Sequence, residues 1–245
     1  MPPSAASIPP CILFSSRNVA FFSSSPKLSN NPILLLHRHL RYCICSMLFV
    51  ARPTDQEIHA RLATREAMPF SYSEVGATQS TPPASYRINH MRAMLGKGQG
   101  VHARAVNALV SWRLLTVAGL EIFPSQPPMQ VQTNVALLSR HFGRLGGIWS
   151  LDFCRVIYIL EAQPENGGAI RRTGFAYGTL PGHAVRGEEI FSVEWHTATG
   201  EVWYDIFSFS LPANVLIRLA GPLVRAAQKQ FASASLSAAS HLSAG

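Results

Sequence analysis

Apolar and polar positions alternate with a period of two over much of the chain between Val117 and Ser210. Six strand-like runs stand out: Val117 to Phe123, Val131 to Ser139, Phe153 to Leu160, Arg171 to Tyr177, Glu188 to His196 and Val202 to Ser210. Gly, Pro, Asn or Ser residues separate most of them. Ile88 to Leu95 reads as an earlier strand, closed by the flexible run Gly96 to Gly100. Helical periods flank this block. Asp55 to Glu66 predicts a short helix with Thr54 as N-cap and Ile58 and Leu62 on one face. Val101 to Leu115 predicts a second, with Val101, Ala105, Ala108, Leu109 and Trp112 on its apolar face. The last helix starts at Pro212 and runs to about Ala232. Its expected stripe is Val215, Leu216, Leu219, Leu223, Val224, Ala227 and Phe231, with Arg218, Arg225 and Lys229 on the other side. Pro222 predicts a kink near Gly221.

The order is helix, strand, helix, about six strands, long helix. This predicts an α+β fold of the helix-grip type: a twisted antiparallel sheet of about six to seven strands wrapped on the C-terminal helix. One α+β domain is expected over residues 47–235. The small-residue tail 236–245 is expected to fray.

Composition sets limits. Hydrophobic residues make up 47% of 245 residues, enough for a globular core. No apolar run approaches the roughly eighteen residues of a spanning helix. The net charge is +8, and half of that excess sits in residues 1–46, as Arg17, Lys27, Arg38 and Arg41 with no acid. The remainder is mildly basic and shows no Lys/Arg stripe, which argues against a nucleic-acid partner. The segment 1–46 has the Ser-rich, acid-free composition of an organelle transit peptide, plastid or mitochondrial. A disordered tail, or a true start at Met47 with a cytoplasmic protein, fits the same residues. Cys11, Cys43, Cys45 and Cys154 show neither zinc nor redox spacing, so a reducing compartment is expected.

Candidate chemistry lies in the second half. Val202 to Ser210 is apolar on both faces, with Val202, Tyr204 and Ile206 on one and Trp203, Phe207 and Phe209 on the other. Both faces therefore need cover. Asp205 among aromatics needs a partner, and Arg155 is the candidate for a structural ion pair. The turn after Gly178 carries Thr179, His183, Glu188 and Glu189. The two glutamates point to opposite strand faces, so they cannot share one site. His183 or Asp205 are the acid–base groups of an enzymatic alternative. His90 reads as a hydrogen-bonded core histidine or part of a pocket. Gly96 to Gly100 lacks the phosphate-loop and dinucleotide patterns. No catalytic signature, metal-ligand set or cofactor motif is present, so no catalytic residue, metal or cofactor is assigned.

Four pieces carry a resemblance: FAYGTLPGH at Phe175 to His183, GEEIFSVEW at Gly187 to Trp195, GEVWYDIFSFSLPA at Gly200 to Ala213 and GPLVRAAQKQFA at Gly221 to Ala232. INHMRAMLGKG at Ile88 to Gly98 matches more loosely. With them the chain resembles a family of uncharacterised proteins of bacteria and plants, carried as a domain of unknown function. The resemblance implies that plant relatives include a chloroplast outer-envelope pore protein, hence possible membrane association. The strands here do not alternate as a water-filled lumen requires. The strand–helix order also resembles the START-like helix-grip superfamily, which implies an apolar small molecule or lipid held between sheet and helix. The expected pocket residues are Tyr177, Thr179, His183, Trp195, Trp203, Tyr204, Asp205 and Phe207, with an enclosed hollow beside them. The oligomeric state is not legible.

Overall fold

The computed structural model describes residues 48–141 and 147–244. The targeting expectation for residues 1–46 falls outside them. β1 (Leu48–Phe49) leads into α1 (Asp55–Ala63). Thr54 caps α1 as expected: its hydroxyl accepts from Glu57 N, and the Glu57 carboxylate accepts from Thr54 N. Two amides that a helix start leaves open are thereby satisfied. A loop then leads to β2 (Arg87–Lys97), α2 (Gln99–Val110) and α3 (Arg113–Val117). The chain continues as a meander: β3 (Leu120–Phe123), β4 (Asn134–His141), β5 (Ile148–Glu165), β6 (Ile170–Thr179), β7 (Val185–His196) and β8 (Glu201–Pro212). It closes with α4 (Val215–Leu219) and α5 (Gly221–Ala244).

The strands form one antiparallel sheet in the order β2-β8-β7-β6-β5-β4-β3, with β1 added to β5. The first long strand thus pairs with the last, and the sheet curls. Its concave face takes α2, α3 and α5, and the predicted α+β helix-grip architecture is present. The strands pack closely at Gly174, where an added Cβ would run into the Phe191 carbonyl of β7. Only glycine fits that approach.

Several predicted elements differ: the strand expected from Val131 starts at Asn134, and the one expected over Phe153 to Leu160 spans Ile148–Glu165. The helix expected over Val101 to Leu115 breaks at Trp112, which takes the left-handed conformation with φ 62°. The break turns the indole into the core, where it lies 4.7 Å from the Phe175 ring and donates to Pro127 O at 3.0 Å. Burial of a large aromatic with its N–H satisfied offsets the backbone cost. The strand expected from Val117 starts only at Leu120, because α3 occupies the residues before it. The C-terminal helix divides at Ala220, two residues before Pro222, and then runs on through Ala244. The tail expected to fray is helical because Ala232, Ser235, Ala238, Ala239 and Ser243 are buried on one face. These small side chains let α5 lie close against β2, α2 and α3.

That packing also overturns the first half of the predicted stripe of the last helix, while Phe231 meets the core as expected. Ile217, Gly221 and the small residues face inward. Val215, Leu216, Leu219 and Leu223, expected in the core, face out with 70%, 51%, 75% and 61% exposure.

Candidate functional site

Register places side chains of the concave face in rows across the sheet. The central row is apolar: Phe175 of β6, Phe191 of β7, Ile206 of β8 and Met91 of β2 stand side by side. Trp112 and Leu109 press on it from above, and Phe231 of α5 meets the Phe191 ring at 6.4 Å. Tyr204 is fully buried, its hydroxyl 3.0 Å from Ser235 Oγ on α5. Tyr204 is thus tied to α5 rather than facing an open space. Two helices between β2 and β3, not one, occupy the concavity, and their side chains take the space.

One row further along, the chemistry changes. Val156, Tyr177, Glu189, Ser208 and Asn89 lie in line on β5, β6, β7, β8 and β2. Beyond them come Thr179 and Ser210, and Gln228 Nε2 of α5 reaches Ser210 Oγ at 3.5 Å. The concave face is thus apolar over its middle and polar at one end. Glu189 is the centre of that end. It follows the same phase as Phe191 and Val193, so its carboxylate enters the apolar side of the sheet. Tyr177 Oη donates to Glu189 Oε2 at 2.9 Å. Protein surrounds the carboxylate, yet the residue keeps intermediate solvent contact. Burial pushes its pKa up to about 7, and the tyrosine bond only partly offsets this. A carboxyl group that titrates near neutrality can hold or release a proton, and can accept a cation. The same burial pushes the Tyr177 hydroxyl well up, so it stays a donor.

Glu188, its neighbour, points to the convex face, as strand alternation requires. It anchors the loop between α1 and β2 by accepting from Tyr72 Oη at 2.8 Å, Gly76 N at 2.7 Å, Thr78 N at 3.0 Å and the Thr78 hydroxyl. Tyr72 and Tyr86 from this loop meet Phe209 edge-on at 5.9 and 5.0 Å. The loop is the cover that the second face of β8 needs. Beside it lies an open cleft of about 490 Å³, lined by Phe70, Tyr72, Glu74, Tyr86, Arg186 and Leu211, away from the concave face.

The expected pocket residues divide between the faces. Tyr177, Tyr204 and Trp195 are on the concave side, Trp195 at its far end against His102, ring centroids 4.7 Å apart. Thr179 is buried at the polar end, where it accepts from Gly187 N at 3.0 Å and bonds Ser71 Oγ at 2.6 Å. His183 sits in the β6–β7 turn. Its Nδ1 accepts from Val185 N at 3.1 Å and lies 3.5 Å from Asp152 Oδ1, which accepts from Ala184 N at 3.0 Å. It pins the turn.

Trp203, Asp205 and Phe207 are on the convex face and cannot share a pocket with Tyr177. Arg92 lies over Trp203 at 4.6 Å, and Phe207 packs with Leu160, Ala176 and Ile190. The expected Arg155–Asp205 pair does not form. Asp205, only 3% exposed, is held by His90 Nε2 at 2.7 Å and Arg172 at 3.5 Å, with Arg92 Nε at 3.9 Å. His90 is thus a surface partner, more than half exposed, and not a core histidine. Arg155 instead donates to Asn134 Oδ1 at 2.6 Å and to the carbonyls of Arg65, Glu66 and Met68. Its fork satisfies the turn that follows α1. Two strands separate it from Asp205 in the sheet.

The sequence places Glu189 beside the β6–β7 turn, on the strand face opposite Glu188, and it is not among the expected pocket residues. The signal that identifies it was present: a carboxylate in phase with Phe191 and Val193, on the apolar side of its strand. Among the described residues no cluster of metal-ligating side chains occurs.

Fold and site together define a helix-grip α+β domain whose concave face is packed in the middle and polar at one end. Residues 71–238 match the domain of unknown function DUF1990, and the chain belongs to that family. A UPF0548 protein of Deinococcus radiodurans is 38% identical over 191 residues, 75% of this chain and 92% of that protein. A UPF0548 protein of Arabidopsis thaliana is 34% identical over 147 residues, 60% of this chain and 68% of that protein. The expected family of bacteria and plants is therefore found. Among solved structures, a hypothetical protein of Helicobacter pylori aligns with a TM-score of 0.39 at 9% identity, covering 69% of this chain and 95% of that one. Norcoclaurine synthase of Thalictrum flavum aligns with 0.36 at 11%, covering 63% and 94%. At such scores the fold assignment rests on the sheet order and helices of this chain itself.

Proposed function

We propose that the chain is a non-enzymatic binding module for a small, mostly apolar molecule with a cationic or hydrogen-bond-donating head. The head sits at the polar end of the concave face, against Glu189 and Tyr177. The observation that carries this reading is the inward carboxylate of Glu189: it lies on an apolar strand face, receives one hydrogen bond from Tyr177 and keeps solvent contact. A charge in such surroundings binds its counter-charge far more strongly than in water. Convergent polar groups on an otherwise apolar surface fix a ligand's orientation. Phe231 and Phe191 offer apolar wall next to Glu189, and Ser208 and Asn89 offer further polar contacts.

Among the described residues no helix is long and apolar enough to cross a membrane. The middle of the concave face is occupied by packed side chains. A targeting role for residues 1–46 stands as a separate proposal, supported if N-terminal sequencing of the mature protein begins inside or after that segment and opposed if it begins at Met1.

Titration calorimetry with decylamine tests the binding reading. Affinity is expected to fall about tenfold, near 1.4 kcal/mol, in Glu189→Gln, and by a smaller factor in Tyr177→Phe. No binding by the wild type, or equal affinity in both variants, contradicts it.

A further inference from the structure

We propose that the outward face of α4 and the first turns of α5 docks the protein on an anionic membrane surface. Val215, Leu216, Leu219 and Leu223 are the residues that sequence periodicity assigns to the core, yet they face solvent, and Pro222 and Ala226 between and after them are exposed as well. Spacings of three and four residues put Val215, Leu216 and Leu219 on one side of α4 and Pro222, Leu223 and Ala226 on one side of α5, and all six are exposed. Arg218, Arg225 and Lys229, all exposed, run along one flank of that row at the same kind of spacing. No Asp or Glu follows Asp205 in the sequence, so nothing on this element counters their charge. An apolar row flanked by bases on an element without acids is the pattern of a helix that lies in a membrane interface.

Charge selects among the possible occupants. A second copy of the same face brings three bases against three bases. The segment 1–46 is also basic and acid-free. Both are repelled, whereas anionic headgroups are attracted. The apolar residues enter the headgroup boundary and the bases meet the phosphates. This surface is independent of the Glu189 site, which lies on the opposite side of α5.

Vesicle co-sedimentation of the full chain tests the proposal, with phosphatidylcholine alone and phosphatidylcholine doped with phosphatidylserine. Binding is expected only to the doped vesicles and is expected to weaken at high salt. Arg225→Gln is expected to lower partitioning about fivefold. The double change Leu219→Ser and Leu223→Ser is expected to lower it about tenfold or more. These side chains are exposed, so circular dichroism of each variant is expected to match the wild type. Equal sedimentation with both vesicle types overturns the proposal, as does no sedimentation with either. Self-association in light scattering that the leucine changes abolish assigns the face to a second copy and overturns it too.

Discussion

Adjacent glutamates in β7 show how strand phase decides chemistry. Glu188 is outward and receives four donors, so it works as a fastener. Glu189 is inward and receives one, so its proton is held up to about pH 7. In the unfolded chain that proton leaves near the ordinary carboxyl value of 4.5. Between these values the native state binds the proton and the unfolded state does not, so stability falls as pH rises through the window. The full effect is roughly 3 kcal/mol, reduced by the solvent contact Glu189 retains. Glu189→Gln removes this loss. Urea denaturation is expected to show the variant more stable than wild type at pH 8 and nearly equal at pH 4.5; the reverse order contradicts the assignment. Glu188→Gln acts in the opposite sense. It sets an amide NH₂ against buried donors and is expected to cost about 3 kcal/mol, with faster hydrogen exchange at Gly76 and Thr78. Unchanged exchange there contradicts the anchoring role.

At the scale of elements, the strands were the most legible part of the sequence, because the aromatic and β-branched runs between Arg171 and Ser210 are bounded by glycine-bearing turns. The register that aligns Tyr177, Glu189 and Ser208 was not legible, since it arises from pairing between strands. The helices misled in a physical way. Leucine periodicity pointed to one face of the last helix, but close approach to β2, α2 and α3 favours small side chains, and Ala and Ser took the core face instead. The Trp112 break was equally hidden, because helix propensity says nothing of an indole that gains burial by a left-handed turn. A pair of substitutions on the terminal helices separates the two faces. Ala239→Leu is expected to cost about 1–3 kcal/mol through overpacking. Leu219→Ser is expected to stay within about 0.5 kcal/mol. Equal costs in urea denaturation contradict the buried-face assignment.

For the whole molecule, the curled sheet gripping a C-terminal helix is as the sequence predicted, while the helices differ in where they break and in the face they bury. Trp112, Leu109 and Phe231 pack against the middle of the concave face, and the proposed ligand site is its polar end. The Arg155 and Asp205 assignments failed for a reason of the same scale: sequence distance hides that two strands stand between them. Family membership supplies no activity, so the function rests on this one site. Decylamine titrated into the ¹⁵N-labelled full chain, followed by NMR, tests it most directly. Shifts are predicted to concentrate at Tyr177, Glu189, Ser208, Gln228 and Phe231 and to vanish in Glu189→Gln. Shifts confined to the convex face or to the cleft near Tyr86, or none at all, would contradict the account.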